Sequence, residues 1–275
     1  MIDFDLFIVY DESVNNKLFT RGGENVLTAE RHRIILDLLE KQEVVKLQEF
    51  VDATSSSEST IRRDLSQLES QRKLKRVHGG AALLQQKREE PSVSEKSTKN
   101  LQEKLEIAKH AASLIRDGDC IFLDAGTTTL QMIPYIEAND VVVVTNGITH
   151  LEALLENSIP TYLTGGFVKQ RTRALVGRGA VMGMEQYSFD KSFIGVNGIH
   201  LTYGYTTPDP EEAFVKRLAI QLSQQAYMLA DHTKWNESTF SKIADLHEAA
   251  IITSECDEEL WKLYKEKTFI EVVKK

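Results

Sequence analysis

The chain of 275 residues has only two cysteines and no long apolar run. Cys120 and Cys256 lie far apart, without the CxxC or Cys/His spacing of a zinc site, so two reduced thiols are expected and a disulfide framework is excluded. Apolar runs such as Val141–Val144 are far shorter than the roughly 20 residues that a membrane-spanning helix needs. No secretory signal peptide is recognisable either. These absences predict a cytoplasmic globular protein without a structural metal.

The chain also lacks an excess of positive charge, because its formal net charge is −8. This value excludes a protein coated in basic surface, but it leaves room for a local basic patch. One such patch is present between residues 62 and 78, where six cations outnumber two acids; the cations are Arg62, Arg63, Arg72, Lys73, Lys75 and Arg76. The charge is therefore polarised along the sequence.

Residues 1–26 show no helical or strand period that continues into the following segment. Arg21–Glu24 can be encoded by a purine-rich stretch of the kind that binds the bacterial ribosome, and Val26 can be a GTG start codon just downstream. One hypothesis is that the native protein begins at Val26 and that residues 1–25 are a translated leader. A genuine flexible N-terminal arm is the alternative, and both remain open.

The segment 27–84 has the pattern of three short helices followed by a hairpin. Thr28 is suited to cap the first helix, the second is expected over about Lys46–Ala53, and Ser57 is the expected N-cap of the third. In the third helix, apolar residues at helical spacing are predicted to face a core; they are Ile61, Leu65 and Leu68. A basic, glycine-tipped hairpin follows, which is typical of a winged helix-turn-helix that binds DNA.

The outward face of the third helix and the wing supply the predicted DNA contacts. Arginine can read guanine or bind phosphate, and hydroxyl and amide side chains can do either. The predicted contact residues are Ser57, Ser59, Thr60, Arg62, Arg63, Gln67, Lys75, Arg76, His78, Gly79 and Gly80. The alternative for the arginine pair is a surface ion pair, in which Arg62 or Arg63 bonds Glu58 or Asp64.

From residue 101 onward, helices alternate with short apolar strands, after a polar stretch over 85–100 that is expected to be a linker. Strands are predicted at residues 120–123, 141–144, 161–163, 192–196, 226–230 and 250–252. Continuous apolar strands separated by helices indicate a mostly parallel sheet covered on both faces. In such sheets ligands bind at the carboxyl ends of the strands.

Glycine and hydroxyl residues follow three successive predicted strands, where backbone N–H groups and helix N-termini favour an anion. The residues predicted to bind it are Asp124, Gly126, Thr127, Thr128, Thr129, Thr145, Asn146, Gly165 and Gly166. Two further groups lie at expected sheet ends: Lys169 and Arg171, with Arg173 beside them, and the pair Asp231 and Lys234. The alternative for Lys169, Arg171 and Arg173 is that they are solvated loop cations, and the alternative for Lys234 is a simple pair with Asp231.

No cofactor site is predicted. Gly177–Gly179 has two glycines in the spacing of a dinucleotide fingerprint, but no strand leads into it and the third glycine is misplaced. A Walker P-loop is absent from the sequence.

Three motifs in the first part of the chain resemble the DNA-binding head of the DeoR family of bacterial regulators: Leu27–Leu36, Ser59–Leu65 and Leu74–Ala81. Later motifs are similar to the effector domain of that family; they are Asp124–Thr128, Thr145–Asn146, Gly165–Gly166, Phe193–Gly198 and Asp231–Lys234. This similarity adds Asn197 and Gly198 to the expected effector site. Ala53–Ser55 and Arg72 depart from the family pattern without breaking it. Family members begin just before the equivalent of Leu27, which favours the leader hypothesis.

The resemblance implies an N-terminal winged helix-turn-helix (27–84), a linker (85–100) and a larger ribose-5-phosphate-isomerase-like α/β domain (101–275) that binds a sugar phosphate and forms oligomers. It implies a DNA-binding regulator, expected to repress a sugar-utilisation operon until a phosphorylated sugar releases it. The expected partners are operator DNA, the sugar phosphate and further copies of the chain, as a dimer or tetramer.

Two other functions stay open at this point. One is a sugar-phosphate isomerase with a DNA-binding head, although Ile194–Gly198 lacks the carboxylates that the isomerase pattern has there and that such catalysis needs. The other is a head that binds DNA whatever the ligand, with an α/β domain that serves only to form oligomers. An enzyme is the less favoured prediction.

Overall fold

The computed structural model describes residues 27–42, 44–71, 73–77, 79–83, 90–254 and 257–273. Residues 1–26, which the sequence assigns to a leader or an arm, lie outside the described residues. The chain divides between residues 85 and 86 into two compact units. Within the described residues no helix is both long enough and apolar enough to cross a bilayer.

The N-terminal unit is a winged helix-turn-helix. Its elements are α1 (Thr28–Gln42), β1 (Val44–Lys46), α2 (Leu47–Thr54), α3 (Glu58–Ser70), β2 (Leu74–Val77) and β3 (Gly80–Leu83). The three strands form an antiparallel sheet in the order β1-β3-β2. Ser57 caps α3 as the sequence predicts, because its side chain accepts a hydrogen bond from the Thr60 amide.

A single apolar core holds the N-terminal unit together. Ile61, Leu65 and Leu68 of α3 are almost completely buried, which confirms the face predicted from their spacing. They pack with Phe50 of α2 and Leu39 of α1. Burial on this side leaves the opposite face of α3 to solvent, and that face carries the arginine pair.

The C-terminal unit is built on a parallel sheet with helices on both sides. Its helices are α4 (Val93–Thr98), α5 (Leu101–Ser113), α6 (Thr127–Met132), α7 (His150–Glu156), α8 (Arg178–Met184), α9 (Pro210–Gln221) and α10 (Glu258–Tyr264). Its strands are β4 (Cys120–Leu123), β5 (Val142–Thr145), β6 (Thr161–Leu163), β7 (Phe167–Val168), β8 (Leu175–Val176), β9 (Phe189–Gly195), β10 (Gly198–His200), β11 (Gly204–Thr207), β12 (Ser223–Ala230), β13 (Ser241–Ala244), β14 (Ala250–Thr253) and β15 (Ile270–Val272).

The central sheet has the order β15-β14-β12-β9-β4-β5-β6, and all its neighbouring strands are parallel. The chain runs outward from β4 to β6, returns to β9 on the other side of β4, and then runs outward the opposite way. Strand order therefore reverses between β4 and β9. In open α/β sheets this switch point is where a crevice forms and ligands bind.

The two faces of the sheet have separate apolar cores. Phe122, Ile194 and Met228 point to the side of α8 and α9. Leu123, Phe193 and Leu229 point to the side of α5 and α6. Burial on both faces explains why these strands show continuous apolar runs instead of alternation.

The predicted strands are found with small shifts in their ends, but several short elements were missed. Strands β10, β11 and β13 form a separate antiparallel sheet, and β7 and β8 form a two-stranded ribbon. The sheet edge β15 was also missed, because a three-residue strand with Glu271 at its centre has no apolar period.

The prediction of a linker over residues 85–100 is wrong for its second half. Residues 93–98 form α4 within the C-terminal unit. Ser92 caps this helix and accepts from the Glu95 amide, while the Glu95 carboxylate accepts from the Ser92 amide at 2.5 Å. The sequence has this capping box, but α4 lacks an apolar stripe, and the linker prediction rested on that absence. Residues 84–89 lie outside the described residues.

Candidate DNA interface and effector site

The exposed face of α3 brings together the hydroxyl and cationic residues predicted to contact DNA. Ser59 and Thr60 lie in its first turn, with their hydroxyls 2.9 and 2.8 Å from that of Ser57. Arg63 and Gln67 are exposed farther along the same helix. The N-terminal turn and the outer face of one helix thus present hydrogen-bonding side chains in the arrangement that a major groove accepts.

Arg62 bonds Glu58 in this structure. Its guanidinium donates to the Glu58 carboxylate at 2.6 and 2.9 Å, and both side chains are more than half exposed. An exposed pair one helical turn apart stabilises a helix by only about 0.3–0.5 kcal/mol. DNA phosphate can displace such a pair at little cost, so the pairing is compatible with a DNA contact.

The sequence suggested Asp64 as an ion-pair partner of Arg62 or Arg63, but Asp64 has a different role. Its buried carboxylate accepts from Arg31 of α1 at 2.7 and 3.3 Å, and lies 3.4 Å from a ring nitrogen of His32. Hydrogen bonding to Asp64 raises the pKa of the Arg31 guanidinium. Asp64 therefore joins α1 to α3 instead of neutralising the arginine pair. Its spacing signals this, since position 64 falls on the same buried face as positions 61, 65 and 68.

The wing is tied to α3. The backbone amide of Arg76 donates to the Glu69 carboxylate at 2.8 Å, and its guanidinium donates to the Ser66 hydroxyl at 3.0 Å. Lys75 and Arg76 are exposed on β2. Gly80 is required by close approach, because a Cβ there would lie 2.1 Å from the Val45 carbonyl oxygen; Gly79 has a φ of +79°. His78 and Arg72 lie outside the described residues.

In the C-terminal unit, the switch point between β4 and β9 holds a buried ion pair. Asp124 follows β4 and is 2% exposed. Its carboxylate accepts from the Gly195 amide of β9 at 3.0 Å and from the Lys216 ammonium of α9. Lys216 also donates to the Gly195 carbonyl oxygen at 3.0 Å. The pair therefore joins two adjacent strand ends to a helix.

The charge state of Lys216 is set by its neighbours. Burial alone would lower the pKa of its ammonium, but the charges of Asp124 and Glu212 outweigh burial and hold the pKa above its usual value. Lys216 stays protonated, and Asp124 is engaged by two donors. These two contacts position the Asp124 carboxylate between β9 and α9.

The three consecutive threonines after Gly126 divide into two kinds. The Thr129 hydroxyl accepts from the Gly126 amide at 3.0 Å and lies 2.5 Å from the Asp124 carbonyl oxygen, so it braces the turn. For the hydroxyls of Thr127 and Thr128, nothing in the described part of the chain provides a hydrogen-bond partner, although both residues are 9% exposed. These two hydroxyls are available to a ligand.

His150 supports the same turn from α7. A ring nitrogen lies 3.1 Å from the Thr129 hydroxyl, and burial lowers the pKa of His150 to about 4, so the ring is neutral at physiological pH. Its ring also fills the space beside Gly147, where an added Cβ would lie 2.3 Å from it. His150 is a buried structural histidine that sequence reasoning did not single out.

Thr145 and Asn146, both predicted to bind the anion, are buried and bonded within the protein. The Thr145 hydroxyl donates to the Leu123 carbonyl oxygen at 2.6 Å. The Asn146 side chain accepts from the Ala125 amide at 2.9 Å and donates to the Leu175 carbonyl oxygen at 3.3 Å. Both side chains fix the loop that leads into α6, so their position supports the site from behind.

Gly165 and Gly166 turn the chain between β6 and β7, with φ values of +75° and +105°. Gly166 also packs tightly, since an added Cβ would lie 2.5 Å from the Val176 carbonyl oxygen. Asn197 accepts from the Thr207 hydroxyl at 3.0 Å. An added Cβ at Gly198 would lie 2.5 Å from the Glu237 carbonyl oxygen. These residues are thus explained by the backbone conformation or by packing inside the protein.

Lys169 is surrounded by carboxylates. Its ammonium lies 3.1, 2.9 and 2.8 Å from the carboxylates of Glu90, Asp209 and Glu212. Burial would lower the pKa of Lys169, but Glu212 and the other acids raise it well above its usual value. Its positive charge is satisfied inside the protein. Arg171 is exposed, 3.9 Å from Glu95.

A second group of charges lies at the end of β12. Asp231 accepts from the Thr233 amide at 3.0 Å, and Lys234 lies 3.8 Å from it. Lys104 of α5 is 6% exposed and donates to the Lys96 carbonyl oxygen. Burial, reinforced by neighbouring lysines, lowers the pKa of both Lys104 and Lys234.

Lys104 and Lys234 belong to a lysine cluster, defined here as Lys96, Lys99, Lys104 and Lys234, in which Lys96 pairs with Glu90 at 3.0 Å. Asp231 favours the charged forms of Lys104 and Lys234, but it does not fully offset burial and mutual repulsion. An anion bound beside Lys104 and Lys234 would relieve both penalties. Since β9 lies between β12 and β4, the ends of β12 and β4 are about 10 Å apart, at about 4.8 Å per strand.

Comparison with known proteins decides the family. Residues 31–87 match the DeoR-like helix-turn-helix domain, and residues 99–255 match the DeoR C-terminal sensor domain. The chain belongs to the DeoR family. It is a DNA-binding transcriptional regulator of that family, as the resemblance of its motifs predicted.

Curated relatives of this DeoR-family regulator are named as regulators and repressors. It is 54% identical over 250 residues to a Bacillus subtilis protein named uncharacterized HTH-type transcriptional regulator FruR, covering 90% of this chain and 100% of the relative. It is 34% identical over 250 residues to the lactose phosphotransferase system repressor of Staphylococcus aureus, covering 89% of this chain and 98% of the relative. These names agree with the prediction that the chain is not an enzyme.

Solved structures give weaker and partial matches to this DeoR-family chain. Ribose-5-phosphate isomerase A of Methanocaldococcus jannaschii aligns at 18% identity with a TM-score of 0.38, over 50% of this chain and 55% of that one. Translation initiation factor eIF2B delta of Chaetomium thermophilum aligns at 14% identity with a TM-score of 0.39, over 66% and 58%. The fold assignment rests on the strand order of the sheet.

Sequence reasoning missed the charged residues that helices bring to this regulator's sheet end. Lys104 lies in the apolar stripe of α5 with Ile107, Ala108 and Ala111, and a lysine in such a stripe signals a buried charge. Glu212 and Lys216 lie four residues apart in α9, on its buried face. That spacing is also typical of a solvated helix, so the sequence alone did not single them out.

Proposed function

We propose that this DeoR-family regulator is a repressor of a sugar-utilisation operon and that a phosphorylated sugar releases it from DNA. The observation that carries the proposal is the pairing of two chemistries at adjacent strand ends. Beside α5 lies the lysine cluster, in which burial and neighbouring lysines lower the pKa of Lys104 and Lys234, and beside α6 lie hydroxyls and the pair formed by Asp124 and Lys216. A sugar phosphate carries a phosphate dianion and several hydroxyls, and their separation is similar to that between the two strand ends.

In this proposal the phosphate lies by Lys104 and Lys234 and accepts from the hydroxyls of Thr127 and Thr128. Sugar hydroxyls lie toward Asp124, whose carboxylate accepts hydrogen bonds, and toward Lys216. The other predicted residues of the site, among them Thr129, Thr145 and Asn146, act by holding the loops in place. Lys169, whose ammonium donates to Glu90 and Glu212, holds the segment after β7 in place.

The name of the Staphylococcus aureus relative supports this assignment, because it is called a repressor of a sugar phosphotransferase system. A ligand can shift a regulator only by binding its two states with different affinity. We infer that the sugar phosphate favours the state with low affinity for DNA. A single head makes few contacts, so we also infer a homo-oligomer that binds repeated half-sites.

The test is thermal unfolding of the full chain with a panel of ligands. Fructose 1-phosphate and tagatose 6-phosphate are compared with the free sugars and with inorganic phosphate. A ligand at 100 times its Kd stabilises the folded state by about 2.7 kcal/mol. We expect one phosphorylated sugar to raise the Tm while its free sugar does not. Equal Tm values across a wider panel of phosphorylated sugars would contradict the proposal.

A further inference from the structure

The strand β6 forms one edge of the central sheet and exposes apolar side chains. Tyr162 is 53% exposed and Leu163 is 41% exposed. Tyr162 packs against Tyr187, with ring centroids 5.5 Å apart and the ring planes tilted by 39°. Within the described residues β5 is the only strand paired with β6. An exposed apolar edge is a template for pairing with another chain.

The backbone of β6 has outward-facing groups in a defined order. The Val143 amide donates to the Pro160 carbonyl oxygen, and the Thr164 amide donates to the Thr145 carbonyl oxygen. Inward-facing groups therefore belong to residues 160, 162 and 164, because bonding alternates along a strand. The N–H and C=O groups of Thr161 and Leu163 face away from the sheet.

The opposite edge of the same sheet is protected by charge. Glu271 lies at the centre of β15 and pairs with His110 at 3.1 Å, and the preceding turn is charged at Lys265, Glu266 and Lys267. Charges on an edge strand prevent pairing with a second chain. Residues 157–168, which include β6, contain no charged residue at all. The β15 edge therefore carries charge, and we call it the guarded edge. The β6 edge carries none, and we call it the unguarded edge.

We propose that β6 is a dimerisation edge, at which two copies of this chain pair their β6 strands antiparallel about a two-fold axis at Tyr162. Thr161 of each copy then exchanges two N–H···O=C bonds with Leu163 of the other, which gives four bonds and satisfies all the outward groups. Tyr162 faces its own counterpart as a non-hydrogen-bonded pair, for which the Cα atoms are about 4.5 Å apart. The interface is isologous, as in most two-fold dimers.

A second copy is the occupant that the charges favour. The chain has a net charge of −8, so two copies repel each other over most surfaces. The uncharged strip of residues 157–168 lets two copies meet without like charges at the contact. Leu155 on α7, which is 70% exposed, adds apolar surface beside the strip, and Phe167 on β7, which is 72% exposed, adds it within the strip. The inference does not depend on which effector the protein binds.

Disulfide trapping tests the register. Tyr162→Cys is introduced into the full chain with Cys120 and Cys256 changed to serine. The expected Cα separation of about 4.5 Å lies within the range that a disulfide spans. We expect mild oxidation to convert most of this variant to a covalent dimer. Phe269→Cys, beside the guarded edge and 68% exposed, is the matched control and should stay largely monomeric on a denaturing gel.

Sedimentation velocity of the reduced proteins supplies the second arm. Leu163→Lys places a charge on the unguarded edge, and we expect the oligomer order of the chain to fall by half. Phe269→Lys should leave it unchanged. A wild-type chain that sediments as a monomer at micromolar concentration would overturn the proposal. So would a folded Leu163→Lys variant of unchanged order, or equal trapping of Tyr162→Cys and Phe269→Cys.

Discussion

Lys216 and Asp124 form a buried ion pair across the point where the strand order of the sheet reverses. The two residues are 92 positions apart in sequence, and both are almost completely buried. Their contact fixes the carboxyl end of β4 to that of β9 through the Gly195 amide and carbonyl. The ion pair, as well as apolar packing, therefore stabilises the two strand ends that lie under the proposed effector site.

Removal of one member of this pair should be costly. Lys216→Met leaves the Asp124 carboxylate buried without its ammonium, and we expect the free energy of unfolding to fall by about 3–5 kcal/mol. Urea unfolding of the full chain measures this change. The double variant Lys216→Met/Asp124→Asn should recover part of the loss, because no unpaired charge remains. Lys262→Met is the control: it removes the exposed pair with Glu258 and should lower the free energy of unfolding by less than about 1 kcal/mol. An equally small loss for Lys216→Met would contradict the role of the buried pair.

The carboxylates around Lys169 should make stability depend on acid pH. Burial raises the pKa of both Glu212 and Asp209. Lys216 and Lys169 outweigh burial at Glu212, and Lys169 with backbone N–H donors outweighs it at Asp209, so both pKa values are lower than their ordinary values of 4.5 and 3.8. Groups with a lowered folded-state pKa stabilise the protein above the unfolded-state pKa, and this stability is lost as pH falls through the folded-state pKa. We expect the unfolding free energy to fall from about pH 5 downward.

The matched variant for this pH dependence is Lys169→Met. Removing the ammonium brings both carboxylate pKa values closer to their unfolded values, so the slope of stability against pH should become shallower. Urea unfolding at intervals between about pH 6 and 3 measures both slopes. A variant with the wild-type slope would show that Lys169 does not hold these carboxylates in their charged forms.

Thr128 and Thr129 should differ although they are neighbours. Thr128→Val removes a hydroxyl that has no partner in the described part of the chain, so stability and DNA binding should stay close to wild type while the effector response is lost. Thr129→Val removes the acceptor of the Gly126 amide, and we expect it to cost about 1–3 kcal/mol of stability. Thermal unfolding and a ligand-response assay separate the two, and a normal response of Thr128→Val would remove this residue from the site.

Arg63→Ala should weaken binding to DNA from upstream of the gene by about 1–3 kcal/mol if this side chain reads a base. A loss that is uniform across sequences, with a smaller salt dependence, would indicate a phosphate contact instead. Arg33→Ala is the control, since Arg33 is an exposed cation of α1 paired with Glu30. Fluorescence anisotropy at fixed salt gives the Kd values. If both variants lose the same affinity, α3 is not the recognition helix.

The sequence predicted the architecture because most of it is local. The α3 core at Ile61, Leu65 and Leu68 and the cap at Ser57 follow from spacing and side-chain chemistry within a few residues. The same is true of strands such as Cys120–Leu123, which are apolar throughout because both faces are covered. The three-residue strands β1 and β15 were missed because they form only through pairing with distant chain segments.

Only part of the effector site was predicted, again because local sequence patterns do not show contacts between distant segments. Asp124, Thr127 and Thr128 follow directly from a strand that ends in a glycine turn. Lys104 and Lys216 come to the same sheet end on helices, and only the packing of those helices selects the lysines that are buried. Lys169 was predicted as a ligand cation, but the residues that surround it, Glu90 and Glu212, are distant in sequence.

The most direct test of the central claim is the Kd of the full chain for DNA from upstream of its own gene, measured at fixed salt while a sugar phosphate is titrated. Coupling between effector and DNA of about 1–3 kcal/mol predicts a 5- to 150-fold weakening by one phosphorylated sugar. The free sugar should have no effect, and Lys104→Met should bind DNA normally without responding. Tight DNA binding that no phosphorylated sugar alters would contradict the account.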